Sequence, residues 1–159
     1  MSDFFSKTDL SRKDAEGIIS ETLNKCDDGE LYLENSKSES IVLDDDKIKS
    51  STYSSDLGYG LRAVTGEVVG YSHSNEISKN SLKQSADNLR STLKSKNGIY
   101  NHEIPKTNEK FYKSLNPIDE KSLQSKLELL KEVNSYTRAK GAIVQQVTAS
   151  FAGEHKSIE

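Results

Sequence analysis

Residues 29 to 74 constrain the fold more than any other part of the chain. There the apolar residues change from a period of 3.6 to a period of 2, and short turns separate the extended runs. "GELYLENS" alternates Leu31 and Leu33 against Glu30, Tyr32 and Glu34. "ESIVLDDDKIKSSTY" reads as a strand, an acidic turn and a second strand. "GYGLRAVTGEVVGYS" reads as a strand, a turn at Thr65-Gly66-Glu67 and another strand. Parallel neighbours need crossovers of about a dozen residues or more. Four short strands joined by tight turns therefore predict an antiparallel meander.

Helical periods flank the meander. A first helix is predicted from about residue 12 to 26, with Ser11 as its N-cap and Asp14 favouring the free N–H groups. Ala15, Ile18, Ile19, Leu23 and Cys26 share one face of it, and Asp27-Asp28-Gly29 ends it. A second spans about 79 to 96: Ser78 caps it, Ile77 and Leu82 form a hydrophobic staple, and Leu82, Ala86, Leu89 and Leu93 make its stripe before Asn97-Gly98. A third spans about 120 to 140, with Asp119 as cap, Ile118 stapled to Leu123, and a stripe of Leu123, Leu127, Leu130 and Val133 that Gly141 closes. Its charged residues read as a solvated face.

Residues 97 to 117 hold both prolines and no sustained period, so they read as a surface connection with one short strand at Lys110–Leu115. A strand begins near 143 and turns near Gly153, and the last six residues look like the start of a returning strand. The predicted order is α-β-β-β-β-α-α-β-(β), an α+β sheet with helices packed on it and its last hairpin truncated.

Totals bound the function. At 159 residues the chain is most economically one domain, and 33% hydrophobic content suffices because the apolar residues are clustered periodically. A net charge of -3, with lysines interspersed among acids, forms no basic stripe, which argues against a nucleic-acid or membrane surface. Cys26 alone excludes an intrachain disulfide and a multi-cysteine metal site. The N-terminus has no apolar run of signal-peptide length, so a soluble cytoplasmic protein is expected.

The tempting constellations fail on context. Gly58-Tyr59-Gly60-Leu61-Arg62-Ala63 fits the G-x-G-x-x-G/A dinucleotide fingerprint, which needs a helix N-terminus after it to hold the pyrophosphate. A hairpin follows instead, so the glycines read as close packing or a bulge. His102-Glu103 begins like a zinc-peptidase motif, but positions 106 and 107 are Lys106 and Thr107, and Pro105 would break the required helix. His73, His102 and His155 are far apart, and His73 reads as a half-buried or edge residue. Glu154-His155 carries little information. Cys26 reads as a small core residue. No G-x-S-x-G elbow activates a serine. Asp44-Asp45-Asp46 lacks calcium-loop spacing and reads as a solvated turn. Arg62 lies in an apolar hairpin, where a carboxylate partner is expected; a structural ion pair outweighs substrate contact there.

Several ordered segments do carry a resemblance. "GELYLENSKSESIVLDDDKIKSSTYSSDLGYGLRAVTGEVVGYSHSNEISKNSLKQSA", and "VTASFAG" after the long helix, resemble the N-terminal domain of the TldD/PmbA family, on its TldD-type zinc metallopeptidase side. The resemblance runs from about Gly29 to the end, weakest near 97 to 117. It implies that residues 1–159 are a single N-terminal domain of a longer protein whose catalytic domain lies outside this chain. Such proteins bind one zinc through H-E-x-x-x-H and a later cysteine, and cleave unfolded or flexible peptides. They work in the cytoplasm as a heterodimer with a PmbA/TldE-type subunit that lacks the zinc motif. The metal motif lies downstream of the "VTAS" strand, so the resemblance places no catalytic residue and no metal ligand on any residue here, and names no substrate-binding residue. The role implied for this part is a scaffold for the partner interface or the substrate channel. A free-standing, non-catalytic protein-interaction domain is the alternative of a different class.

Overall fold

The computed structural model describes residues 4–6, 8–93 and 115–159. Its elements run α1 (Arg12–Leu23), β1 (Asp28–Asp44), β2 (Lys47–Thr65), β3 (Val68–Ser74), α2 (Lys79–Leu93), α3 (Pro117–Glu120), α4 (Leu123–Arg138) and β4 (Thr148–Ile158). The four strands form one antiparallel sheet in the order β3-β2-β1-β4. The α+β class, the meander and the helix–meander–helices–strand order are as the sequence predicts.

Strand lengths differ from the expectation. "GELYLENS" and "ESIVL" are one strand, β1, and the runs on either side of "SSD" are likewise one strand, β2. Side-chain alternation lapses in these serine-rich stretches, but a ladder is held by backbone N–H and C=O groups, which every residue there supplies. β4 likewise runs through Gly153 without turning, so the predicted break there is absent.

The turn between β1 and β2 is Asp45-Asp46, with φ of 48° and 65°. Two left-handed residues give the hairpin type whose twist matches its strands, and aspartate tolerates that region better than most non-glycine residues.

The chain divides into two compact units: Met1–Asn35 with Asp56–Ser114 and Ser157–Glu159, and Ser36–Ser55 with Leu115–Lys156. In the first unit, α1 and α2 cover one face of the sheet. Ser11 accepts from the Asp14 N–H at 3.1 Å and donates its hydroxyl to the Asp14 carboxylate at 2.6 Å, closing the start of α1 as predicted. α1 ends at Leu23, earlier than predicted, and Cys26 lies beyond it, buried. Ser78 caps α2 by accepting from the Ser81 N–H at 3.1 Å, and Asp9 accepts from the Lys79 N–H at 3.0 Å. Leu82, Ala86, Leu89 and Leu93 are all buried, with Ile77 beside them. Residues 94–96 and the Asn97-Gly98 stop lie outside the described residues.

Below α2 sit Leu61 and Ala63, with no accessible surface, together with Leu33 and Tyr59. Gly70 allows the close approach: a Cβ there would lie 2.8 Å from a Leu89 methyl. The Tyr59 hydroxyl, too costly to bury alone, is 2.9 Å from both Ser81 Oγ and Ser85 Oγ.

In the second unit, Leu130 packs with Ile41, Leu43 and Ala149, and Leu127 and Phe151 flank them. The predicted third helix is divided. Pro117 starts the one-turn α3, capped by Asn116; Lys121 is extended; and Ser122, accepting from the Ser125 N–H at 3.2 Å, starts α4. Asp119 is therefore not the cap. It accepts from Asn116 at 2.6 Å and from Lys37 at 2.7 Å. The inward line of α4 is Lys126, Leu130 and Asn134, while Leu123 and Val133 of the predicted stripe are exposed. α4 ends at Arg138 with Ala139 as its C-cap, short of the predicted end near 140, and Gly141, at φ 135°, follows two residues after the cap. The predicted strand at Lys110–Leu115 lies almost wholly outside the described residues.

Candidate functional site

The glycine segment that imitates a nucleotide fingerprint lies inside β2 and leads through a two-residue turn into β3. No helix N-terminus follows Gly60 until Lys79, so no cradle for a pyrophosphate forms. Gly60 serves another purpose. A Cβ there would lie 2.6 Å from the Tyr71 hydroxyl and 3.1 Å from its ring, so the tyrosine occupies the space that a side chain would need.

Arg62 points to the face of the sheet opposite Leu61 and Ala63. Its Nη2 donates to Asp28 at 2.7 Å and its Nε to Glu30 at 2.9 Å, both on β1. Glu30 first, then Asp28, hold the guanidinium above its ordinary pKa. The expected carboxylate partner is thus a pair. On the same strand Tyr32 donates to the Glu34 carboxylate at 2.5 Å, which pushes the phenol up to about 12.

His73 is exposed on β3, its ring stacked on Tyr71 with centroids 5.8 Å apart. That matches an edge residue. Cys26 is a buried core thiol, 3.8 Å from the Thr22 carbonyl. Glu154 and His155 lie on β4. His102, Glu103, Pro105, Lys106 and Thr107 lie outside the described residues.

The acidic run is more than a solvated turn. Asp44 accepts from Thr148 at 2.8 Å and Gln146 at 3.0 Å, which together with Lys49 hold its carboxyl below the usual range. Asp45 accepts from the Val147 N–H at 2.9 Å and pairs with Arg138. The turn thus ties the end of α4 and the start of β4 to the β1–β2 hairpin. Sequence reading missed this because those partners lie about 100 residues away in the chain.

It also missed Lys126. Its ammonium is buried and donates to Glu39 at 2.5 Å and to the Ile118 carbonyl at 2.7 Å, and lies 5.6 Å from the Phe151 ring centre. The only signal was a lysine four residues before Leu130, on the inward line. Beside it, Leu129, Leu130 and Val133 of α4 and residues 146–151 line a groove of about 430 Å³. β4 is an outer strand of the sheet.

None of these arrangements is a catalytic constellation. Among the described residues no three His, Cys, Asp or Glu side chains gather where they could hold a metal ion, so no step through a metal is derived from this chain. Among the same residues no helix is long and apolar enough to cross a membrane.

Comparison with known proteins bears on the same region. Residues 29–93 match the family described as PmbA/TldA metallopeptidase domain 1. The chain is 35% identical over 133 residues to a metalloprotease TldD homolog of Buchnera aphidicola, covering 83% of this chain and 28% of that protein. It is 31% identical over 138 residues to a metalloprotease TldD homolog of Haemophilus influenzae, with the same coverage. The chain thus spans little more than a quarter of these relatives' length. Its fold is similar to that of TldE from Thermococcus kodakarensis, with a TM-score of 0.58 at 13% identity, over 92% of this chain and 34% of that one. The chain belongs to the TldD/PmbA family, a metallopeptidase family, and carries its N-terminal domain.

Proposed function

We propose that this chain is the N-terminal scaffold of a TldD-type zinc metallopeptidase that cleaves unfolded or flexible peptides in the cytoplasm. The observation that carries the reading is the match to relatives named metalloproteases over 83% of the chain. In this reading residues 1–159 are one domain of the enzyme, the zinc and its ligands belong to a separate catalytic domain, and no catalytic or metal-ligating residue lies here. The sheet shapes the interface with a PmbA/TldE-type subunit or the mouth of the zinc chamber. Its outer strand β4, beside the apolar groove, is suited to hold an extended chain by strand addition, which reads backbone more than side chains.

Two measurements test this. The coding sequence downstream of the Glu159 codon is expected to encode H-E-x-x-x-H; a stop codon in its place would overturn the enzyme reading in favour of a free-standing interaction domain. Co-expression with the organism's PmbA/TldE-type subunit is expected to give a complex that survives gel filtration. Separate elution of the two chains would refute the partner assignment.

A further inference from the structure

α3 is held to the second unit by a single apolar side chain. Between Leu115 and Ser122 only Ile118 is buried, Asn116 is half-buried, and every other residue is exposed. Ile118 seats over Gly153 of β4 and beside Glu39 of β1: a Cβ on Gly153 would lie 3.6 Å from its Cγ1 and 3.7 Å from Glu39 Oε1. Polar ties add to this anchor. Lys37 donates to Asp119 at 2.7 Å, and Lys126 donates to the Ile118 carbonyl at 2.7 Å.

The junction with α4 allows the two helices to part. Lys121, at φ -119° and ψ 139°, is extended, so no helical turn continues from one into the other. Asn116 caps α3 by accepting from the Ile118 N–H at 3.1 Å. Ser122 caps α4 by accepting from the Ser125 N–H, and its carbonyl accepts from the Lys126 N–H, both at 3.2 Å. Neither helix supplies the other's cap.

Beneath α3 lies the ammonium of Lys126, a residue only 5% accessible. With α3 lifted, that ammonium keeps Glu39 and the Phe151 ring, both carried by strands, and exchanges one carbonyl for water. Lysine ammonium is strongly hydrated, so water is a competent replacement. A segment with one buried apolar contact also opens at lower free energy than the core beneath it.

We propose that residues 116–121 form a strap that opens by itself, hinged at Lys121, and uncovers Lys126 while α4 and the sheet stay folded. The strap is independent of the peptidase reading and needs no residue outside the described ones.

The test is acetylation of the 159-residue chain with N-hydroxysuccinimide acetate, with the labelling rate of Lys126 followed by peptide mass spectrometry. In the wild type this rate is expected to stay flat as urea is raised below the unfolding transition, because a local opening exposes little surface. Ile118→Ala is expected to speed the labelling about 10-fold, since it removes the side chain that anchors the closed strap. Leu130→Ala is expected to leave the rate in native buffer unchanged, because Leu130 stays buried whether the strap is open or closed. A steep rise with urea in the wild type would overturn the proposal, since Lys126 would then be reached only when the whole unit unfolds. That measurement needs no variant. Equal acceleration by Leu130→Ala and Ile118→Ala, or an unchanged rate in Ile118→Ala, would overturn it as well.

Discussion

Single side chains in this protein are explained by what they are paired with. Thr65 is 1% accessible, and its hydroxyl has no partner among the described residues. Burying that hydroxyl costs free energy, so the isosteric Thr65→Val should raise stability by about 1 kcal/mol in urea denaturation; a loss of that size would show that the hydroxyl is satisfied. Tyr32 carries the opposite lesson. Its phenol is raised to about 12 by the Glu34 carboxylate, which favours the neutral form. The contribution is therefore full below the ordinary tyrosine pKa of about 10 and lost as pH rises through 12. In an ultraviolet titration, Glu34→Gln should bring one late-ionising tyrosine back to about 10. An unchanged curve would place the perturbed group elsewhere. For Arg62 the sequence indicated the kind of partner, since an arginine in an apolar hairpin needs a carboxylate. Which ones was not legible, because Asp28 and Glu30 lie 34 and 32 residues away and only the β1–β2 register brings them together.

At the level of elements, caps and apolar stripes were the readable signals. Ser11 and Ser78 start their helices as predicted because a cap depends on neighbours within one turn. The third helix was misread where a long-range pairing intervened. Lys126 looks solvated in sequence, yet its side chain is 6% accessible and that of Glu39 10%, with the Ile118 carbonyl as a further acceptor. A buried lysine turns the helix so that Leu123 and Val133, which a hydrophobic count would bury, face out. Lys126→Met should then cost about 3–5 kcal/mol, because it leaves Glu39 unpaired in a buried place. The double variant Lys126→Met/Glu39→Gln should recover a large part of that loss, since the stranded charge is gone. Additive losses in a denaturant-based cycle would show that the two side chains do not act on each other. The strands were under-measured for a related reason: alternation reports burial, whereas the ladder continues wherever backbone groups find partners.

For the whole molecule, the α+β class and the meander were legible because turn lengths alone exclude a parallel arrangement. The division into two units was not, since it follows from how contacts cluster. Among the described residues, fourteen buried apolar side chains cluster in the first unit, while the second has a cluster of four with Ile118 and Val147 buried besides, and regions with fewer buried contacts open at lower free energy. Amides of α4 should therefore exchange with solvent at lower denaturant than those of α2 or of β2 near Leu61. Equal protection across both would mean that the chain opens as a single cooperative body. The division has a consequence for descent as well. Each unit is assembled from separate stretches of chain, the first from three and the second from two. No single crossover between genes could transplant either one intact, so the pair is expected to pass between lineages as one indivisible module.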